Sequence, residues 1–280
     1  MTLSRTEIRG LIQRHGLRPS RALGQNFVAD ANTVRRIARL AEVGPGDHVV
    51  EVGAGLGSLS LALAETGASV TSIELDRHLL PPLREIVAGH GIEVLEGDAM
   101  TLDWDDLLAD GPAWVLVANL PYNVATPLVA DLLDGVPQIS RMLVMVQLEV
   151  GERLVAKVGD AAYGGVSVKV GYWAEARLVG KVPPTVFIPQ PRVDSALVDI
   201  RRRPAPAVDP AEVAADRLFA LVRAGFGQRR KMLRRSLADL ATAEDFAAAG
   251  VRPEARAEEL SVTEWGRLAA CVFPPTQSSP

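Results

Sequence analysis

One cysteine, four histidines and three tyrosines are all that this 280-residue chain holds of those types. The lone thiol, Cys271, excludes an internal disulfide and fits a reducing compartment, so a cytoplasmic location is expected. His15, His48, His78 and His90 are scattered without metal-ligand spacing, and no metal is expected. No apolar run approaches the ~18 residues that a membrane span needs. Met1-Thr2-Leu3-Ser4-Arg5 lacks the apolar core of a secretion signal, so no membrane association is expected either.

Apolar residues are plentiful: 48% of the chain is hydrophobic and the mean hydropathy is +0.14, which supports a packed core. The length suits one large domain and a small one. The net charge of -4 conceals a polarised distribution. Residues 1–40 hold eight arginines against Glu7 and Asp30. Arg223, Arg229, Arg230, Lys231, Arg234 and Arg235 form a second, acid-free cluster, and Arg201-Arg202-Arg203 adds a third. Basic flanks around an acidic middle are a footprint of polyanion binding, although solvated helix faces would also produce them.

From about residue 45 to 200 the chain alternates strand-like and helix-like stretches. Strands are expected at 48–52, 69–73, 92–95, 114–118 and 142–146, with helices at 59–65, 79–88 and 128–133 between them. This rhythm means a mostly parallel, doubly wound α/β sheet. The runs Val166 to Val182 and Ser195 to Ile200 read as closing, antiparallel strands. Residues 204–210, rich in proline and alanine, read as a linker after an N-terminal arm and sheet domain over 1–203. A small all-helical domain over 211–280 follows, in which Ser261-Val262-Thr263-Glu264 is a capping box with Leu260 and Trp265 as its staple. The tail from Pro274 to Pro280 reads as disordered.

Asn119-Leu120-Pro121-Tyr122 is a polar turn after the apolar run Trp114 to Ala118, where open α/β sheets place ligands. Thr126-Pro127 beyond it suits a helix N-cap. The exocyclic amine of adenine is a poor nucleophile because its lone pair is delocalised. The Asn119 side-chain oxygen and the Leu120 carbonyl, fixed ahead of a proline, could accept both amine protons and localise that pair. Tyr122 could stack on a base swung out of its helix. A turn whose Asn caps backbone and whose Tyr packs in the core fits the four residues equally well.

Glu51-Val52-Gly53-Ala54-Gly55-Leu56-Gly57 ends the first strand with backbone suited to close ligand approach. Ser58 stands where the dinucleotide fingerprint wants its third glycine. Glu74 ends the second strand, placed for ribose hydroxyls, and Asp98 follows the third, placed for an adenine amino group. No second phosphate-binding feature appears, which favours a single-nucleoside ligand such as S-adenosylmethionine.

With these parts in place the sequence resembles the ribosomal RNA adenine dimethyltransferases along nearly its whole length, in particular their bacterial small-subunit branch. The resemblance is carried by Leu23-Gly24-Gln25-Asn26-Phe27, the glycine loop, Gly97-Asp98 and Asn119-Leu120-Pro121-Tyr122. It continues in Phe187-Ile188-Pro189-Gln190-Pro191-Arg192-Val193 and Phe226-Gly227-Gln228-Arg229-Arg230-Lys231. It implies a Rossmann-like S-adenosylmethionine-dependent methyltransferase domain with a small helical C-terminal domain. It further implies cofactor contacts at Asn26, Val28, Gly53, Gly55, Glu74, Asp98 and Asn119, with Tyr122 and Phe187 holding the flipped adenine. RNA contacts are expected at Arg229, Arg230, Lys231 and Arg234.

The implied reaction dimethylates N6 of two adjacent adenosines in a hairpin loop near the 3′ end of 16S rRNA, within an immature small ribosomal subunit, by a monomer. A relative of the antibiotic-resistance type methylates large-subunit RNA and shares most motifs. The stretch from Glu149 through Lys157, with Tyr163-Gly164 and Ser167-Val168, resembles the small-subunit branch instead. Two other classes are an NAD-linked oxidoreductase, disfavoured by Ser58, and an assembly factor whose binding role dominates.

Overall fold

The computed structural model describes residues 2–20, 23–108, 113–121 and 124–274. Tyr122 and residues 275–280 of the expected tail lie outside the described residues. The chain divides into two compact units: Met1–Gly151 with Arg177–Arg201, and Glu152–Ala176 with Arg202–Pro280.

The strands are β1 (Phe27–Val28), β2 (His48–Val52), β3 (Ser69–Glu74), β4 (Ile92–Glu96), β5 (Trp114–Asn119), β6 (Ile139–Gln147), β7 (Ala174–Val182), β8 (Phe187–Ile188) and β9 (Ser195–Arg202). Seven form one sheet in the order β4-β3-β2-β5-β6-β9-β7. The five from β4 to β6 are parallel, and β9 runs antiparallel to β6. Leu116, Val117 and Ala118 of β5 and Leu143 to Val146 of β6 are all but inaccessible. Burial on both faces is why these strands read as continuous apolar runs. The order reverses between β2 and β5, and the crevice at their carboxyl ends is where such sheets bind ligands.

Helices α1 (Arg5–Arg14), α2 (Ala31–Ala41), α3 (Ser58–Ala64), α4 (Leu80–Val87), α5 (Trp104–Leu107) and α6 (Ala125–Gly135) belong to the first unit. In α2, Asp30 caps the start by accepting from the Thr33 amide at 2.7 Å, and Val34, Ile37, Ala38 and Ala41 make the buried stripe. Arg141 of β6 donates to the carbonyls of Leu40 and Ala41 at 2.8 and 2.7 Å, satisfying two orphan acceptors at the helix end. The same guanidinium meets Asp199 of β9 at 2.7 Å, and Arg177 and Arg201 reach the other oxygen of that carboxylate. Burial alone would raise the Asp199 carboxyl, but the hydrogen bonds from Arg141, Arg201 and Arg177 outweigh it and hold the group below the usual range.

Helix α7 (Leu148–Val155) precedes the second unit's α8 (Gly165–Trp173), α9 (Ala215–Gly227), α10 (Leu233–Ser236), α11 (Ala243–Ala249) and α12 (Val262–Val272). Its core gathers Val168, Tyr172, Leu218, Leu221, Phe246 and Trp265, none more than 1% exposed. Ser261 and Glu264 form the expected capping box, and Leu260 and Trp265 lie in this core.

Three expectations change. The run Val166 to Val182 is not one strand: 165–173 is α8, and only the remainder is β7. Val168 and Tyr172, four apart, pack into the helical core, and this tertiary packing overrides the β propensity of the valines. Helix α6 begins at Ala125, with Val124 at its N-cap instead of Thr126. The amides of Val124 and Ala125 both turn back onto the Pro121 carbonyl, and Pro127 falls in the first turn, where an amide hydrogen has no helical partner to lose. The division at 203 and the linker at 204–210 also differ. Residues 152–176 pack with the C-terminal helices, and Val208 is buried where a side chain at Gly266 would collide with it.

Candidate active site

Strand β2 ends in a loop whose Gly53, Gly55 and Gly57 all have positive φ. A side chain on Gly55 would come within 3.1 Å of the Phe27 ring, and one on Gly57 within 3.0 Å of Leu83. Only glycine permits this conformation and this proximity together. Gly57 is the N-cap of α3, so Ser58 is the first helical residue. The Ser58 hydroxyl is buried at the cleft wall with no partner among the described residues.

Glu74, at the end of β3, is 6% exposed. One carboxylate oxygen accepts from the Gly55 amide at 2.7 Å and the other from the Asp76 amide at 2.9 Å. Burial pushes this carboxyl up. Each oxygen keeps a further lone pair, so Glu74 can hold the glycine loop and still accept from a ligand hydroxyl. Asp98 follows β4 in a tight turn: one of its oxygens accepts from the Met100 amide at 2.9 Å, and Asp98, Ala99 and Met100 line the same cleft.

Asn119 closes β5. Its side-chain Nδ2 donates to the Asn26 carbonyl at 3.0 Å, and Asn26 in turn donates through its own Nδ2 to Gly24 at 3.1 Å. An amide has one donor end and one acceptor end, so this bond leaves Asn119 Oδ1 as an acceptor at the cleft. The Leu120 side chain is buried away from the cleft, and its amide is tied to the Met145 carbonyl at 3.0 Å. The Leu120 carbonyl, ahead of Pro121, takes no bond from any described residue.

The cleft thus brings together Asn26, Val28, Gly53, Gly55, Glu74, Asp98 and Asn119. It does not include Phe187. That ring is 1% exposed, in the core with Val28, Val34 and Ile37, because β8 pairs with β1 and turns it inward. As it stands, Phe187 supports the cleft from behind and offers no open face to a base.

Sequence reasoning missed Glu51 as a site residue. Its carboxylate is 1% exposed at the cleft floor, where one oxygen accepts from Ser60 and, at 2.8 Å, from Ser72. Burial pushes this carboxyl up to about 7. The available signal was an acid inside an otherwise apolar strand, a costly placement without a purpose.

The expected RNA-binding cations divide into two kinds. Arg229 pairs with Glu258 at 2.5 Å and donates to the Ala161 carbonyl, and Arg234 lies 3.4 Å from Glu254. Arg230 and Lys231, with Arg235 beside them, are exposed and have no partner among the described residues. No group of three or more potential ligands could hold a metal, and no helix is long and apolar enough to cross a membrane, among the described residues.

A glycine loop at the switch point of a parallel sheet, flanked by strand-end acids and an Asn-Leu-Pro turn, defines a Rossmann-like methyltransferase domain. Residues 17–272 match the family Ribosomal RNA adenine dimethylase, and the chain belongs to that family. It is 48% identical to the Ribosomal RNA small subunit methyltransferase A of Kineococcus radiotolerans, covering 96% of this chain and 91% of the relative. The protein of that name from Thermobifida fusca is 46% identical over 95% of each chain. Among solved structures, the 23S rRNA methyltransferase ErmE superposes with a TM-score of 0.68 at 30% identity, covering 88% of this chain and 99% of that one. A dimethyladenosine transferase from Plasmodium falciparum gives 0.67 at 23% identity, over 85% and 94%, and shows the shared fold.

Proposed function

We propose that this enzyme transfers methyl groups from S-adenosylmethionine to N6 of two adjacent adenosines in a hairpin loop near the 3′ end of 16S rRNA. The observation that carries the chemistry is the fixed Asn119 amide, whose acceptor end remains at the cleft beside the unengaged Leu120 carbonyl. Relatives at 46–48% identity bear the small-subunit name, whereas the large-subunit enzyme ErmE stands at 30%. That gap favours the small subunit as substrate.

The residues present fit the cofactor. Glu74 offers free lone pairs for ribose hydroxyls, Asp98 an oxygen for an adenine amine, and the glycine loop a surface without side chains. Val28 and Asn26 line the same cleft. S-adenosylmethionine, when bound there, supplies a sulfonium methyl group that a nucleophile can displace. Asn119 Oδ1 and the Leu120 carbonyl would accept the two amine protons and localise the nitrogen lone pair toward that group. Catalysis then rests on positioning and on dipoles fixed in advance. No strong general base is needed, because the amine becomes acidic as it gains the methyl.

Tyr122 is assigned the base-stacking role, with Phe187 behind the wall. Arg230 and Lys231, more than Arg229 and Arg234, are assigned to RNA phosphates. The enzyme would act as a cytoplasmic monomer on an immature small subunit. Dimethyladenosine mapping in unmodified small and large subunits treated with the purified protein tests the reading. Two adjacent modified adenosines near the 16S 3′ end are expected, and modification of 23S rRNA alone would overturn it.

A further inference from the structure

A second recess adjoins the cofactor cleft and shares Gln25, Phe27 and Leu79 with it as a common wall. It is a cavity of about 440 Å³ between the end of α1, the segment 16–19 and the loop from β3 to α4. Its polar lining holds two arginines, Arg18 and Arg77, with His15, His78 and Gln25, against one acid, Asp76. That acid is engaged, since one oxygen accepts from Gln25 Nε2 at 2.8 Å and the other from the His78 amide at 3.0 Å. His15 is held by Glu85 at 3.0 Å, and Arg14 shares the same carboxylate at 3.3 Å. Arg18 and Arg77 are exposed and have no partner among the described residues. Two exposed guanidiniums therefore line a recess whose one carboxylate is already hydrogen-bonded through both oxygens. Leu17, Pro19 and Pro81 supply an apolar surface beside them.

We propose that this recess binds one nucleotide unit of the RNA strand next to the target adenosine, with Arg18 and Arg77 on its phosphodiester. This inference rests on the functional reading above. Guanidinium forks match phosphate oxygens, and such contacts set register without reading sequence. Helix α4 cannot provide the grip through its own N-terminus, because Pro81 and Pro82 remove two of the amides that would do so. The side chains carry the recognition, and the wall of Gln25, Phe27 and Leu79 sets the recess beside the cofactor cleft.

The test uses the full chain and a labelled RNA hairpin carrying the 16S 3′ loop, titrated over a range of salt. In Arg18→Gln/Arg77→Gln the binding slope against log salt should fall by about 0.7, the value for one phosphate contact to single-stranded RNA. S-adenosylmethionine affinity should stay at the wild-type value. Arg9→Gln/Arg39→Gln removes two other exposed arginines of the same unit and should change the slope far less. Equal losses in both double variants would mean a diffuse field and overturn the proposal, as would an unchanged slope in Arg18→Gln/Arg77→Gln. Inorganic phosphate that raises the wild-type melting temperature but not the variant's, with RNA binding unaltered, would make the recess a free-anion site and also overturn it. Wild-type protein that methylates no ribosomal RNA would remove the underlying functional reading, a failure visible without any variant.

Discussion

Asn119 Nδ2 donates to the backbone carbonyl of Asn26 at 3.0 Å, so the turn after β5 takes its aim from the N-terminal arm. The two residues are remote in sequence and stand on one cleft. The bond distinguishes the two ends of an amide, which a carboxylate in the same place could not do.

Asn119→Asp should therefore be far more damaging than its size suggests. A carboxylate oxygen would face the Asn26 carbonyl, acceptor against acceptor, and the side chain would turn away. Single-turnover methyl transfer should slow by roughly 10²–10³-fold, the usual cost of losing one fixed polar contact to the reacting group. A rate near that of the wild type would assign amine polarisation to other atoms.

Glu74→Gln tests the double duty of that carboxylate. The amide nitrogen cannot accept from the Gly55 or the Asp76 amide, so one of these would be left unpaired. Cofactor affinity measured by calorimetry should fall by about 1–3 kcal/mol. Asp98→Ala should cost a similar amount without disturbing the glycine loop. Undiminished affinity in both would sink the nucleoside assignment of the cleft.

Much of this arrangement was legible in the sequence, because Gly53, Glu74, Asp98 and Asn119 each follow an apolar run that could only be a strand. The parallel sheet followed from the same alternation. Other features were not legible, for reasons particular to them. Phe187 reads as a base-stacking residue until β1 pairs with β8 and turns its ring inward, a contact between distant segments. Val166 to Trp173 has strand-like valines, and only the helical core around Tyr172 and Trp265 makes it a helix. Arg229 and Arg230 are adjacent and alike in sequence, yet Glu258 engages one and leaves the other free.

Glu51 gives a pH signature. Its folded carboxyl sits at about 7, above the unfolded value, so its favourable contribution is complete below roughly pH 4 and is lost as the pH rises through 7. Glu51→Gln removes the titration and can keep accepting from Ser60 and Ser72. Relative to wild type, the cofactor-free variant should gain stability between pH 5 and 8, by at most ~3 kcal/mol. Parallel melting curves for the two proteins across that range would contradict the buried-carboxylate account.

Arg230→Ala/Lys231→Ala and Arg229→Ala should differ in kind. The free pair should lower the salt dependence of RNA binding by roughly 0.7–1 unit of slope per phosphate contact, with little change in the rate at saturating RNA. Arg229→Ala removes a pair to Glu258 and a bond to the Ala161 carbonyl, so its main effect should be on melting temperature. A larger slope change from Arg229→Ala than from the double variant would reverse the assignment.

The pairing of β1 with β8 also bears on how the protein is made. Phe27 and Val28 emerge early from the ribosome, but their partners Ile188 and Phe187 are added only after most of the sheet has been synthesised. Until then the arm has no strand to lie against, and the packing of Phe27 on Leu56, Leu61 and Leu79 holds it to the sheet domain. A nascent chain therefore carries its glycine loop and its Asn-Leu-Pro turn before the strand pair that completes the arm's attachment can form.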